Sequence, residues 1–157
     1  MQDPGKPFTL VCRVGRLVEL RVGPFTAREH MQQLQMGVAE LVGSMKDAIG
    51  CFDLRLARVL PADIAEAGLG VMRSDNRLFH TIALLANSPM LSLQIARLMR
   101  EANNPRRKLF EMTGELELWL QPHLNQAERQ RLHEFLTQDP TVTEEPPHTP
   151  PTPSSNQ

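Results

Sequence analysis

Residues 48–72, with the sequence AIGCFDLRLARVLPADIAEAGLGVM, constrain the fold of this chain more than any other stretch. Residues 48–54 are apolar on both faces up to Asp53, which is typical of a central strand covered by helices on both sides. After a short loop, Pro61 suits the first turn of a helix. A buried strand followed at once by a helix predicts an α/β protein. Asp53 then lies at the carboxyl end of a strand, where ligands bind in open α/β sheets.

The sequence around this unit completes the expected architecture. Apolar and polar residues alternate over residues 8–22 and break at Gly15, which predicts two half-buried strands that form an opening β-hairpin. The remaining periodicities predict the order β-β-α-β-α-β-α-β-α-α, with the last strand at residues 107–110. Two patterns with capping-box spacing, Thr26 with Glu29 and Asn125 with Glu128, predict helix starts. We therefore expect a small mixed sheet, made of a hairpin followed by β-α units, covered by helices.

The domain organisation follows from length and from one change in composition. A chain of 157 residues is expected to hold one domain, which we place at residues 7–138 after a flexible lead-in of residues 1–6. Residues 139–157 are rich in proline and lack apolar periodicity, so a disordered tail is expected there. This tail is either a ligand for a polyproline-binding partner or a solvating terminus.

Composition and spacing argue against several classes of function. A net charge of −1 is unlike the basic surface of nucleic-acid-binding domains, and no apolar run is long enough to span a bilayer. Cys12 and Cys51 lie in predicted strands and are expected to be buried reduced thiols. The five histidines lack zinc-site spacing, and no nucleophile has a recognisable activating base. We expect a cytoplasmic protein without catalysis, metal, cofactor, nucleic-acid partner or membrane span.

Two segments carry a family resemblance that covers about residues 8–120. FDLRLARVLPADIAEAGLGVM resembles the DLSG…DSSGLGVL segment of anti-sigma-factor antagonist (STAS) domains, with Asp53-Leu54 ending the strand and residues 68–71, GLGV, in the following helix. RRKLFEMTGELELWL is similar to the closing strand and helix of SpoIIAA-like bacterial proteins. The matching residues in this second segment are Phe110, Glu115, Leu116, Trp119 and Leu120.

The resemblance implies a SpoIIAA-like fold and a function. It implies a non-catalytic adaptor or regulatory module that binds a protein partner in bacterial signalling or protein localisation. In STAS antagonists a partner kinase phosphorylates a serine just before the GLG, but Ala67 stands at that place here. The resemblance therefore implies a member without the phosphate acceptor. Glu66 is either an ordinary exposed helix residue or a fixed charge that imitates a phosphorylated state.

We expect the partner to dock on the loop of residues 53–63 and on the first half of the helix after it. The predicted docking residues comprise five polar side chains and two apolar anchors: Asp53, Arg55, Arg58, Asp63 and Glu66, with Leu56 and Leu60. In the alternative interpretation, Asp53 only organises the loop. The two arginines would then pair with Asp53 and Asp63 at the surface.

Three other possibilities stay open. Cations around the turn at residues 103–105 form either a solvated face that stabilises a helix or a patch that binds anions. These cations are Arg97, Arg100, Arg106, Arg107 and Lys108. Because some STAS-like domains are similar in fold to CRAL-TRIO lipid carriers, a small-molecule or lipid pocket between the sheet and the helices is an alternative function. The edge of a mixed sheet also permits a homo-oligomer.

Overall fold

The computed structural model describes residues 6–141 of the chain. The predictions of a flexible lead-in and a disordered tail fall largely outside these residues, and the boundaries of the predicted domain stay predictions. The described residues form five strands, five α-helices and one 3₁₀ turn, in the predicted order. In chain order they are β1 (Phe8–Val14), β2 (Leu17–Val22), α1 (Arg28–Val42), β3 (Ala48–Asp53), α2 (Ala62–Asp75), β4 (Phe79–Leu85), α3 (Pro89–Ala102), β5 (Arg107–Phe110), α4 (Thr113–Leu120), the 3₁₀ turn (Gln121–His123) and α5 (Gln126–Thr137).

The five strands of the described region stand side by side in chain order. β1 is antiparallel to β2, and every later neighbour is parallel. Parallel neighbours are joined by right-handed crossovers, so a sequential strand order places α1, α2 and α3 on one face of the sheet. The chain covers the other face with α4 and α5, which follow the last strand. The result is the predicted mixed α/β sheet with helices on both faces.

Alternation along the strands divides the core in two. On β2, Val18, Leu20 and Val22 point into the larger core beneath α1, α2 and α3. Leu17 points to the opposite face, where it packs with residues of α4 and α5 such as Leu116. Each face of the sheet is thus closed by its own layer of helices, and the sheet is buried between them.

β2 is buried on both faces, which corrects the sequence-based expectation of a half-buried strand. Glu19 and Arg21 lie under α5 and not in solvent. Arg131 Nη2 donates to Glu19 Oε1 at 2.6 Å, and Arg21 Nη2 donates to the carbonyl oxygen of Phe135 at 3.0 Å. A strand that alternates apolar and charged residues is usually exposed to solvent on its charged face. Here a helix that is distant in the sequence covers that face and supplies partners for the charges.

The two predicted capping boxes have different outcomes. Asn125 and Glu128 form a reciprocal box at the start of α5, so that prediction is confirmed. The prediction for Thr26 is wrong, because α1 begins at Arg28 and its N-cap residue makes no side-chain cap. Glu128 is also fully buried and accepts a second backbone hydrogen bond, from Arg16 N at 2.6 Å. This carboxylate therefore joins α5 to the β1–β2 turn.

Candidate functional site

The carboxylate of Asp53 is buried at the end of β3 and fully engaged by two arginines. The β2–β3 register places Arg21 beside Asp53, and its Nε donates to Asp53 Oδ2 at 2.9 Å. Arg55 Nε donates to Oδ1 and Arg55 Nη2 to Oδ2, both at 2.9 Å. The backbone N–H of Arg55 adds a fourth hydrogen bond, to Oδ1 at 3.0 Å. Asp53 therefore organises the start of the loop.

This geometry sets the protonation state of Asp53 and corrects its predicted role. Burial alone would raise the pKa of Asp53, but hydrogen bonds and charge from Arg55, with a hydrogen bond from Arg21, outweigh it and lower the pKa below its usual value. Since the side chain is fully buried, the prediction that Asp53 lies on an exposed docking surface is wrong. Its alternative interpretation, as an organiser of the loop, describes what the structure shows.

The same two arginines hold the end of α5. Arg55 Nη1 donates to the carbonyl oxygen of Leu136 at 3.3 Å, beside the bond from Arg21 to Phe135. Carbonyl groups in the last turn of a helix have no partner within the helix, so cationic donors stabilise them. Arg55 is consequently a half-buried structural side chain, with less freedom to contact a partner than the sequence suggested.

The far end of the loop is anchored to α3. Leu60 N donates to Gln94 Oε1 at 2.7 Å, and Gln94 Nε2 donates back to the Leu60 carbonyl oxygen at 2.8 Å. The Leu60 side chain packs into the larger core. The prediction of Leu60 as an exposed apolar anchor is therefore wrong, because the residue fixes the loop from below. Sequence reasoning missed Gln94 altogether, since its partner is 34 residues away.

Between these two anchors the loop exposes apolar side chains. Leu56 is 37% exposed and Val59 is 48% exposed. On α3, Met90 and Leu93 are 66% and 70% exposed, and they precede Gln94 by one turn or less. The signal for Met90 and Leu93 was present in the sequence, because both fall outside the buried α3 stripe.

Besides Leu56, three of the predicted docking residues are exposed. The exposed side chains of Arg58, Asp63 and Glu66 lie on the loop and the first half of α2. For the proposal below we use the term docking surface for seven exposed residues of the loop, of the first half of α2 and of the start of α3: Leu56, Arg58, Val59, Asp63, Glu66, Met90 and Leu93. Ala67, at the place of the phosphate acceptor in STAS antagonists, is half-buried beside Glu66.

The proposed anion patch loses one of its members. Arg107 is 6% exposed, and its Nη2 donates to the Met72 carbonyl oxygen at 3.2 Å, so its inclusion in a surface patch is wrong. The reason is that Arg107 begins β5 and points into the larger core, whereas Lys108 next to it faces solvent. Arg97 forms an exposed ion pair with Glu101 at 3.4 Å.

Within residues 6–141, no cluster of three or more histidine, cysteine or acidic side chains could hold a metal ion. Over the same residues, no helix is both long and apolar enough to cross a membrane. Cys12 and Cys51 are both free thiols, Cys12 half-exposed and Cys51 buried. Burial, with the nearby Asp53 charge next, raises the pKa of Cys51 well above its usual range, so the Cys51 thiol is inert.

Comparison with solved structures identifies the architecture. An uncharacterized protein of the DUF3478 family with a SpoIIAA-like fold, from Shewanella loihica PV-4, superposes with a TM-score of 0.58 at 13% sequence identity. That match covers 76% of this chain and 98% of the other. The fold is SpoIIAA-like. The anti-sigma factor antagonist SpoIIAA, in its unphosphorylated form, matches with a TM-score of 0.51 and 14% identity over 74% of this chain and 99% of that one.

These matches confirm the fold that the sequence resemblance implied. No family model and no curated protein matches the chain. At such low identity the likeness establishes the fold alone.

Proposed function

We propose that this chain is a non-catalytic adaptor or regulatory module of the bacterial cytoplasm that binds a protein partner through the docking surface. The observation that supports this most directly is the anchoring of the loop at both ends. Asp53 holds its start through Arg55, and Gln94 holds its end through both backbone groups of Leu60. Leu56 and Val59 nevertheless stay exposed between these anchors.

A loop fixed in this way favours tight binding for a physical reason. Ordering of loops and side chains opposes association, and a preorganised loop has less freedom left to lose. Burying an exposed Val, Leu or Met side chain contributes about 1.5–3 kcal/mol. Four such side chains, Leu56, Val59, Met90 and Leu93, can form the apolar centre of an interface.

The charges around this centre supply specificity. Arg58 on the loop and Glu66 on α2 are exposed and of opposite sign, so a complementary partner would present an acidic and a basic group in matching positions. Ala67 has no hydroxyl group to phosphorylate. Docking on this surface is therefore proposed to proceed without the serine phosphate switch of STAS antagonists, with Glu66 as a constant negative charge.

The test is affinity capture of the tagged full chain from its native cells, read by mass spectrometry. The double variant Leu56→Asp with Val59→Asp should lose the partner. The control is Met36→Asp, because Met36 is an exposed apolar residue on α1, outside the docking surface. Loss of the partner in both, or in neither, would overturn the proposed surface.

A second pair of variants tests the charges and the tail separately. Exchanging the charges of Arg58 and Glu66 together should also remove the partner, and retention after this change contradicts the proposal. A chain that ends at Gln138 should retain the partner if the folded region binds it. Loss on that truncation would move the function to residues 139–157, and capture of further copies of this chain would favour the homo-oligomer.

The alternative function, a small-molecule or lipid-binding domain, has its own supporting observation. A cavity of about 80 Å³ lies between the sheet and the helices α1, α2 and α3, as that hypothesis requires. This volume is too small for a lipid chain, which narrows the alternative to small molecules. Native mass spectrometry of the purified chain, with a co-purifying small molecule and no protein partner, would favour it.

A further inference from the structure

The cavity in the larger core has apolar walls, and two charged side chains are among the residues that line it. Its walls include Phe25, Phe52, Leu60 and Gly68, together with other aliphatic side chains of the sheet and of α1, α2 and α3. Asp75 at the end of α2 and Arg107 at the start of β5 line it too. Asp75 is 3% exposed and Arg107 is 6% exposed.

Each of these two side chains has a buried polar atom without a hydrogen-bond partner. Asp75 Oδ1 and Arg107 Nε make no hydrogen bond within the described part of the chain. Buried polar atoms are almost always paired, because an unpaired one costs about 1–3 kcal/mol. Two such atoms on residues that line one cavity indicate a site that a polar group can complete.

The contacts of Arg107 show which of its atoms remain available. Nη2 of Arg107 donates to the Met72 carbonyl oxygen at 3.2 Å and to Asn76 Oδ1 at 3.4 Å. This fixes the guanidinium and leaves the Nε–H as a donor, while Asp75 Oδ1 is an acceptor when ionised. A hydroxyl or a primary amide can accept from one and donate to the other.

The charges of the lining residues and the volume of the cavity limit the charge and the size of the ligand. Asp75 and Arg107 are of opposite charge, so an ionic ligand would bring an uncompensated charge into a low-dielectric core. A cavity of about 150 Å³ suffices for benzene, and this one measures about 80 Å³. Its occupant therefore has a compact aliphatic part of only a few carbon atoms.

We propose that this cavity binds a small uncharged aliphatic molecule, whose hydroxyl or primary amide group bridges Asp75 Oδ1 and Arg107 Nε. The apolar part of the ligand lies among the side chains of α1, α2 and the sheet. Leu54, Ala57 and Leu60 also line the cavity, so the ligand contacts the docking loop from beneath. The proposal does not depend on the docking surface, since it concerns a separate, interior site.

The experiment is a titration of the full chain at pH 8, followed through the methyl signals of its Leu, Ile, Val and Met side chains by NMR. Three probes of nearly the same shape are compared: isobutanol, isobutyrate and isobutylamine. Isobutanol should give saturable shifts confined to cavity-lining methyl groups, with binding at least fivefold tighter than either ion. No saturable shift, or equal shifts with all three probes, would overturn the proposal.

Two glycines of α2 provide matched variants. A Cβ at Gly68 would lie 3.3 Å from Met31 Cε within the cavity, whereas a Cβ at Gly70 would meet nothing within 4 Å. Both substitutions place alanine in the same helix, so both variants should fold. Gly68→Ala should weaken isobutanol binding at least fivefold and Gly70→Ala should leave it unchanged. Equal affinity in the two variants would contradict the site.

Two further variants test the roles of Asp75 and Arg107 by removing the charge of one of them at a time. Asp75→Asn leaves Arg107 as an uncompensated cation, so isobutyrate should become the preferred probe. Arg107→Gln leaves Asp75 as an uncompensated anion, and isobutylamine should then bind best. An unchanged order of the three probes in both variants would show that Asp75 and Arg107 do not contact the ligand, even if the apolar walls do.

Discussion

Arg21 and Asp53 stand side by side on neighbouring parallel strands, and Arg21 Nε donates to Asp53 Oδ2 at 2.9 Å in the interior of the protein. Arg55 donates to the other oxygen of the carboxylate. Both arginines also donate to backbone carbonyl oxygens in the last turn of α5. One buried carboxylate thus couples three elements at the carboxyl edge of the sheet. The loop of the proposed docking surface begins at this cluster.

Replacing Asp53 by asparagine should destabilise the protein strongly. The substitution removes the buried negative charge that Arg21 and Arg55 share beneath α5. Breaking a buried ion pair in this way costs about 3–5 kcal/mol. Urea unfolding of Asp53→Asn should show a loss of this size, and a loss below about 1 kcal/mol would contradict the structural role.

Asp63→Asn is the matched control for this change, because Asp63 is an exposed carboxylate at the start of α2. Its effect on the free energy of unfolding should stay within about 0.5 kcal/mol.

The pKa of Asp53 is lowered by its arginines, so its stabilising contribution is present above the unfolded pKa and is lost as the pH falls through the folded one. Acid unfolding of the wild type should therefore be steeper than that of Asp53→Asn.

Asp75 predicts the opposite pH dependence. Burial raises the pKa of Asp75 to about 7, against the charge of Arg107, which lowers it. Between the ordinary pKa of about 4 and the folded value, the native state keeps a proton that the unfolded chain has released. The free energy of unfolding should therefore fall as the pH rises from 4 to 7, by on the order of 4 kcal/mol at most, and then level off.

Asp75→Asn isolates this contribution. Asparagine does not titrate, so the decline between pH 4 and 7 should be much smaller in the variant. Stability is measured by urea unfolding at pH 4.5, 6 and 8, where the difference between the two proteins should change steadily in favour of the variant. Parallel curves for the two proteins would show that Asp75 does not titrate in this range.

The backbone architecture was largely predictable because it depends on local patterns. β5 was expected at residues 107–110 and is found there, and β3 ends one residue earlier than expected. The helix cap at Asn125 was also predicted correctly from the sequence. Thr26 has the same spacing of residue types but forms no cap, since a four-residue pattern does not determine the dihedral angles at its first residue.

The candidate site was predictable only in its outline. Burial of Asp53 depends on Arg21, 32 residues before it, and on the last turn of α5, more than 80 residues after it. Arg107 was predicted to be one of five surface cations. The short β5 strand has no clear alternation of apolar and polar residues that would show which side chains point inward. Contacts between distant residues decided both cases, and no local period contains that information.

The glycines of α2 also predict stability. A glycine inside a helix costs roughly 0.5–1 kcal/mol relative to alanine. Gly70→Ala should therefore raise the free energy of unfolding by about this amount, since its added methyl group meets nothing within 4 Å. Gly68→Ala should gain at least as much, because its methyl group fills part of the cavity and displaces only the flexible end of Met31. Lower stability of Gly68→Ala than wild type in urea unfolding would show that Met31 cannot move.

Gly15 should not tolerate alanine. Its φ of +56° in the β1–β2 turn lies in the left-handed region, where a Cβ costs roughly 1–2 kcal/mol. An added Cβ would also overlap the buried carboxylate of Glu128, which accepts hydrogen bonds from Arg16 N and Asn125 N.

Gly15→Ala should therefore lower the free energy of unfolding by about 2–4 kcal/mol, combining the backbone strain with the displaced hydrogen bonds. In hydrogen exchange the amides of Arg16 and Asn125 should exchange faster, because both donate to Glu128. Gly114→Ala is the control, since a Cβ there meets nothing within 4 Å. Unchanged exchange at both amides, with a loss near 1 kcal/mol, would mean that Glu128 keeps its place and that only the turn is strained.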